Sequence, residues 1–122
     1  MKNSQIVVLG ASNKPHRYSH KAIKMLQEYG HHVVPVHPKI ENIEGLVVKH
    51  HLSQIQNPVD TLTLYIGPQR IAPLIDDIVT LHPGRVILNP GTESDELELA
   101  LLHNEISFVK DCTLLMLEHG RF

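Results

Sequence analysis

Short runs of β-branched and aliphatic residues recur along the chain, each followed by a break and then, in most cases, by an amphipathic stretch. Gln5–Leu9 (QIVVL) is the first and ends at Gly10. His32–His37 (HVVPVH), Thr61–Ile66 (TLTLYI), Arg85–Leu88 (RVIL) and Ile106–Val109 follow. Runs of this kind suit strands covered on both faces. Between them, Ser19–Tyr29 places Ala22, Ile23, Leu26 and Tyr29 on one helical face, and Gly30 stops it. Ile71, Leu74, Ile75, Ile78 and Leu81 make a second stripe, in which Pro73 is tolerable only in the first turn. Ser94 is the expected N-cap of a third helix, with Asp95 and Glu96 at its positive end and Leu97, Ala100 and Leu101 toward the core. Strands alternating with helices mean parallel β-α-β crossovers. The expected fold class is therefore α/β: a doubly wound parallel sheet of about five strands, order 3-2-1-4-5, in three α/β/α layers.

Residues 40–60 carry weaker signals. Leu46–Val48 reads as a short edge strand and Leu52–Gln56 as a short helix. Pro35 removes one donor from the second strand and argues against a regular ladder there. Thr113–Glu118 reads as a short final helix.

The 122 residues fit one domain, 1–122. Apolar residues make up 42% and charged residues 20%, a globular composition. No apolar run exceeds four residues, far short of the ~20 that a spanning helix needs, so no membrane role is expected. The opening MKNSQIVVLGAS lacks the apolar core of a secretory signal. Cys112 is the single cysteine, so no internal disulfide forms, and a cytoplasmic location is expected. Net charge is −2 with neutral histidines, which excludes a broadly basic nucleic-acid binder. The charge is unevenly spread. Residues 1–50 hold seven Lys/Arg (Lys2, Lys14, Arg17, Lys21, Lys24, Lys39, Lys49) against three acids, and residues 51–122 hold four against ten. A positive patch on an acidic chain suits a small anionic ligand better than a polymer.

Ligands in doubly wound sheets bind beyond the carboxyl ends of the strands, where the strand order reverses. The turns at those ends are Gly10–Ser19, Pro38–Lys39, Gly67–Arg70 and Asn89–Gly91. The first reads GASNKPHRYS. Gly10 permits a sharp turn directly after a strand, and Ser12, Lys14, Arg17 and Ser19 surround a helix start whose free amides attract phosphate. Positions 12 and 15 are Ser and Pro, so the dinucleotide pattern G-x-G-x-x-G is absent, and no GK[ST] follows. The plain alternative is an ordinary strand-to-helix turn with a serine cap. At the end of the second strand an NAD site would place Asp or Glu. Here stands Val36–His37–Pro38–Lys39. A lysine there favours a nucleotide with a phosphate on its ribose, either NADP or coenzyme A; the plain alternative is a solvated surface lysine.

The stretch VVLGASNKPHRYSHKAIKMLQEYGHHVVPVHPK resembles the start of the small CoA-binding domain family, which is related to the amino-terminal domain of the succinyl-CoA synthetase alpha subunit. The likeness continues through TLTLYIGPQR, VILNPGTE and CTLLML, in order and over nearly the whole chain. It implies a Rossmann-like fold that binds CoA. By position it implies ligand contacts at Gly10, Ala11, Ser12 and Asn13, at the loop-closing Lys14, Arg17 and Ser19, at Pro38 and Lys39, and at Ile66, Gly67 and Pro68. Asn89, Pro90 and Gly91 border the same crevice, although many longer relatives carry a different tripeptide there. The synthetase forms its phosphohistidine in a second domain, so none of the ten histidines inherits that role.

Other clusters read plainly. His16 and His20 are four apart but straddle a turn, and the pairs His31–His32 and His50–His51 point to opposite faces in a strand, so no metal site is expected. Most histidines are expected at the surface or at strand ends, and Cys112 as a buried structural residue. Ser12 and Ser19 lack an evident His–Asp set, and the Asp76–Asp77 pair and the acids from Glu93 to Glu98 look like solvated helix faces, so no catalytic residues are assigned. The Leu114–Leu117 run is read as core, or in part as a dimer contact. The expected function is CoA or acyl-CoA binding without chemistry of its own, as a sensor or a module working with a protein partner or as a homodimer. The alternative is an NADP- or CoA-using enzyme subunit that needs a partner chain.

Overall fold

The computed structural model describes residues 5–122; Lys2 of the basic half lies outside them. In chain order the elements are β1 (Gln5–Leu9), α1 (Tyr18–Glu28), β2 (His32–Val36), β3 (Asn42–Ile43), β4 (Leu46–Val47), β5 (Val59–Leu64), α2 (Pro68–Ile71), α3 (Ile75–Leu81), β6 (Arg85–Leu88), α4 (Asp95–His103), β7 (Ser107–Lys110) and α5 (Thr113–Glu118). The five longer strands form one sheet, β2-β1-β5-β6-β7, parallel at every pairing. Alternate residues of each strand feed two cores, because side chains alternate across a sheet. Ile6, Val8 and Val33 pack with Ile23 and Leu26 of α1 and Leu117 of α5. Val7, Leu9, Leu62, Leu64, Val86 and Leu88 pack with Ile71, Ile75, Ile78, Leu97 and Leu101 on the opposite face. The result is the three-layer, Rossmann-like fold that the strand–helix alternation implies.

The order departs from expectation at both edges, losing 46–48 from one and gaining β7 at the other. With 46–48 counted as a third strand, the sheet runs 2-1-4-5-6 and not 3-2-1-4-5. Leu46–Val47 instead pairs antiparallel with Asn42–Ile43 across Glu44 and Gly45, both at positive φ. Only Lys49 reaches β2, through a single bridge to Val36. Pro35 explains this. Its carbonyl accepts from the Lys49 amide at 3.0 Å, so the side of Pro35 that lacks an N–H faces the same outer edge. The strand keeps its full register with β1 on the inner side, while a ladder on the outer side is cut short.

Smaller shifts have equally local causes. The 71–81 stripe is broken: α2 begins at Pro68, a 3₁₀ turn spans Ala72–Leu74 around Pro73, and α3 follows. Proline is favoured at a helix start, where its missing N–H costs nothing, and disfavoured inside. Tyr29 is the C-cap of α1 and 54% exposed, not core. The short helix expected at 52–56 is a 3₁₀ turn, Leu52–Gln54. Ser94 does cap α4, accepting from the Leu97 amide at 3.2 Å.

Beneath α5 the sheet is polar. Thr63 and Asn89 are buried side by side. Asn89 donates from Nδ2 to Thr63 Oγ1 (2.7 Å) and the Leu64 carbonyl (2.8 Å), and its Oδ1 accepts from the Thr113 amide (2.9 Å). One side chain thus ties β5 and β6 to the start of α5. Truncation removes the side-chain partner of the buried Leu64 carbonyl and Thr113 amide and leaves Thr63 Oγ1 only its bond to Thr113 Oγ1, and losing such buried bonds is costly. Asn89→Ala is expected to lower stability by about 2–4 kcal/mol in urea denaturation.

Candidate functional site

The carboxyl ends of β1 and β5 diverge. The Tyr65 amide donates to the Leu9 carbonyl at 2.8 Å. Beyond that rung, the Gly10 and Ala11 amides both turn to the Val36 carbonyl of β2, at 3.2 and 3.1 Å. Gly10 has φ +89, and a Cβ there would meet Ile66 Cγ2 at 2.6 Å and the Tyr65 carbonyl carbon at 3.0 Å. Both the backbone conformation and the close approach of β5 require glycine.

The chain then forms a compact turn. Ser12 Oγ accepts from the Lys14 amide at 3.1 Å, and the Arg17 amide donates to the Lys14 carbonyl at 3.0 Å. Arg17, in extended conformation, is the N-cap of α1, and no side chain caps the helix. The serine-cap alternative therefore does not hold: Ser19 lies inside the first helical turn and is buried. The uncapped start leaves backbone donors beside the cleft, the arrangement that attracts anions.

His20 braces this turn. It is buried, an exception to the expectation that most histidines lie at the surface or at strand ends. Its Nδ1 lies 2.9 Å from the Ser12 carbonyl and its Nε2 2.9 Å from Glu44 Oε2 at the hairpin tip. A carbonyl only accepts, so Nδ1 carries the hydrogen. The Ser12 hydroxyl takes no part, so these three residues are not arranged as a nucleophilic triad.

A cleft of about 420 Å³ opens at the divergence. Of the sequence-assigned residues, Gly10, Ala11, Ser12, Asn13, Lys14, Arg17, Ser19, Ile66, Gly67, Pro90 and Gly91 line it. Pro38 lines an adjoining recess of about 250 Å³. Lys39 and Pro68 are exposed and line neither cavity, and Asn89 lies beneath, committed to the network under α5. Residues the assignment missed also form the wall: Tyr18, His37, Ile40, Tyr65, Arg70 and Thr92. Arg70 stands inside the marked turn Gly67–Arg70, and His37 closes the second strand run just before Pro38–Lys39, so their positions were legible even though their side chains were not assigned.

No carboxylate lines the cleft, and among the described residues Lys14, Arg17 and Arg70 form no ion pair. His37 Nδ1 accepts from the Lys39 amide (3.0 Å) and the Ile40 amide (3.1 Å), so its hydrogen sits on Nε2. Burial, then the charges of Arg70, His50 and Lys39, hold His37 below its ordinary pKa. Tyr65 forms part of the floor. Its hydroxyl is buried without a well-formed hydrogen bond, and burial pushes its pKa up to about 12, outweighing the nearby Thr113 and Thr63 hydroxyls. Cys112 is half-buried, not buried; the next residue, Thr113, takes the interior position. Among the described residues no group of three or more His, Cys, Asp or Glu is placed to hold a metal ion. No helix among them is long and apolar enough to cross a membrane.

Residues 4–118 match the family model described as "CoA binding domain". The chain belongs to that family. A crystal structure of an uncharacterized protein is 40% identical, superposes with a TM-score of 0.91 and is covered, as is this chain, over 98% of its length. A Thermus thermophilus protein is 30% identical at a TM-score of 0.90, over 98% of this chain and 90% of its own. Uncharacterized protein YneT of Bacillus subtilis (strain 168) is 26% identical over 78 residues, 64% of this chain; the match spans 58% of that protein.

Three measurements test the local geometry of the cleft. Gly10→Ala should destabilise the fold by roughly 2 kcal/mol or more, read by urea denaturation, because it combines left-handed strain with a clash against Ile66. For His37, the folded pKa lies below the unfolded value of 6.5, so the unfolded chain takes up its proton first as pH falls. The stability it contributes is present above pH 6.5 and lost through the window below. His37→Asn, whose Oδ1 can accept the same two amides, should therefore lose less stability than wild type between about pH 7.5 and about pH 5.5. NMR of the ring nitrogens should show the Nε2–H tautomer; an Nδ1–H signature overturns the assignment.

Proposed function

We propose that the cleft binds CoA or acyl-CoA reversibly and that the chain acts by recognition, reporting the loaded state to a partner protein. The observation that carries this reading is a carboxylate-free cleft, with Lys14 and Arg17 at an uncapped helix start and Arg70 across from them, none of the three in an ion pair among the described residues, in a chain of the CoA binding domain family. The α1 amides with Ser12, Lys14 and Arg17 hold the diphosphate. The wall formed by Ile66 and Gly67 flanks the adenine or the pantetheine. Recognition without chemistry is supported by the side chains themselves: the Ser12 hydroxyl accepts from the Lys14 amide, and the nearby histidine meets a carbonyl instead.

The test is calorimetry and thermal shift on ligand-free protein with CoA, acetyl-CoA, dephospho-CoA, NADP and NAD. A ligand that binds only the folded state stabilises it by about 2.7 kcal/mol at a hundredfold excess over Kd. CoA and acetyl-CoA are expected to raise Tm, dephospho-CoA less, and NAD not at all. Binding of NADP without CoA, or of none of the five, defeats the reading.

A further inference from the structure

A CoA nucleotide carries phosphate in two places, a diphosphate chain and a monoester on the ribose. One helix start with Lys14 and Arg17 accounts for the first. The opposite wall of the cleft carries its own basic pair, Arg70 from α2 and His37 from the end of β2. Lys39, the cation that the sequence offers for the ribose phosphate, is exposed and lines neither the cleft nor the recess.

Arg70 lines both cavities. The recess is largely apolar, walled by Leu9, Val36, Leu52, Ile66 and Leu74. Asp77 also lines it, yet Arg70 forms no ion pair among the described residues. The guanidinium therefore stands where a polar cleft passes into an apolar recess, the surroundings of a ribose with a phosphate on one side and a base on the other. A guanidinium meets phosphate with paired hydrogen bonds that a point charge cannot reproduce. His37 supplies a directed donor without needing a charge: two backbone amides occupy Nδ1, leaving the hydrogen on Nε2.

We propose that Arg70 and His37 form a second anion subsite, separate from the α1 start, which reads the ribose phosphomonoester and makes Arg70 the residue that separates CoA from dephospho-CoA. This rests on the reading of the cleft as a CoA site. The lowered pKa of His37 agrees with a neutral donor beside fixed cations.

Calorimetry of wild type, Arg70→Gln, His37→Asn and Lys39→Gln with CoA and dephospho-CoA tests it, with Tm measured for each variant to confirm folding. Arg70→Gln should weaken CoA binding about 10- to 100-fold and dephospho-CoA binding no more than about twofold. His37→Asn should weaken CoA binding about 3- to 10-fold, again with little effect on dephospho-CoA. Equal losses for both ligands in Arg70→Gln overturn the proposal, as does collapse of the CoA preference in Lys39→Gln instead. A wild type that binds both ligands equally overturns the subsite while leaving the cleft a CoA site. A wild type that binds neither defeats the CoA reading itself, and the subsite with it.

Discussion

The bond from the Tyr65 amide to the Leu9 carbonyl is the last rung shared by β1 and β5, and the cleft exists because the two chains part beyond it. β1 swings toward β2, its next two amides sharing the Val36 carbonyl. The chain leaving β5 runs on past Ile66 and turns into α2 on the other face. The two central strands of a doubly wound sheet must separate in this way, because their crossover helices cover opposite faces. What is particular to this chain is the tightness of the parting. Gly10 lies against Ile66 and the Tyr65 backbone with no room for a Cβ. The same contact that opens the cleft also sets one of its walls.

Electrostatics follow from that geometry. The turn after β1 and the start of α2 face each other across the gap, and both carry cations with no acid between them. The acids of the second half concentrate elsewhere. Asp95, Glu96 and Glu98 occupy the first turn of α4, where the helix dipole favours them, and Glu98 also pairs with Lys110 at 3.5 Å. Asp111 pairs with Arg121 near the end of the chain. A chain of net charge −2 thus keeps a positive cleft by placing its carboxylates at other helix and strand ends. Cations left unpaired beside one another repel, and an anionic ligand relieves that repulsion; electrostatic affinity here is partly the release of a cost already present in the empty site.

The layer order and the principal strands were legible because their signal is redundant: an apolar run, a glycine or proline stop and a helical stripe repeat several times. The hairpin at 42–47 was not. Its turn rests on Glu44 and Gly45 at positive φ, and glutamate gives no sequence warning of that conformation. The fate of Pro35 shows the same limit. A missing donor is visible in sequence, but which edge it faces is a property of the sheet. In the cleft, the Gly10 turn and its cations were legible as one contiguous segment. Arg70 and His37 were assigned no role because their value comes from standing together across the cleft from the α1 start, a juxtaposition of segments more than thirty residues apart. The burial of His20 was not foreseen, since its partners are a carbonyl eight residues away and a carboxylate twenty-four residues away.

The floor and the walls of the cleft divide two kinds of polar chemistry. Below, Asn89, Thr63 and Thr113 satisfy one another at 2.7–2.9 Å, so their donors and acceptors are spent on holding α5 to the sheet. Above, the backbone amides of the uncapped α1 start and the side chains of Lys14, Arg17 and Arg70 have no intramolecular charge partner among the described residues. A ligand entering the cleft meets fixed donors and positive charge from the walls and a rigid, already satisfied layer underneath. The α1 backbone amides are held in place before binding and lose little entropy when an anion arrives, whereas the exposed side chains of Lys14, Arg17 and Arg70 have to be ordered. The one discordant group is the Tyr65 hydroxyl, buried at the junction without a well-formed bond and kept protonated by a pKa near 12. It stands at the boundary between the structural and binding layers, beside the Thr63 and Thr113 hydroxyls that are already bonded to each other.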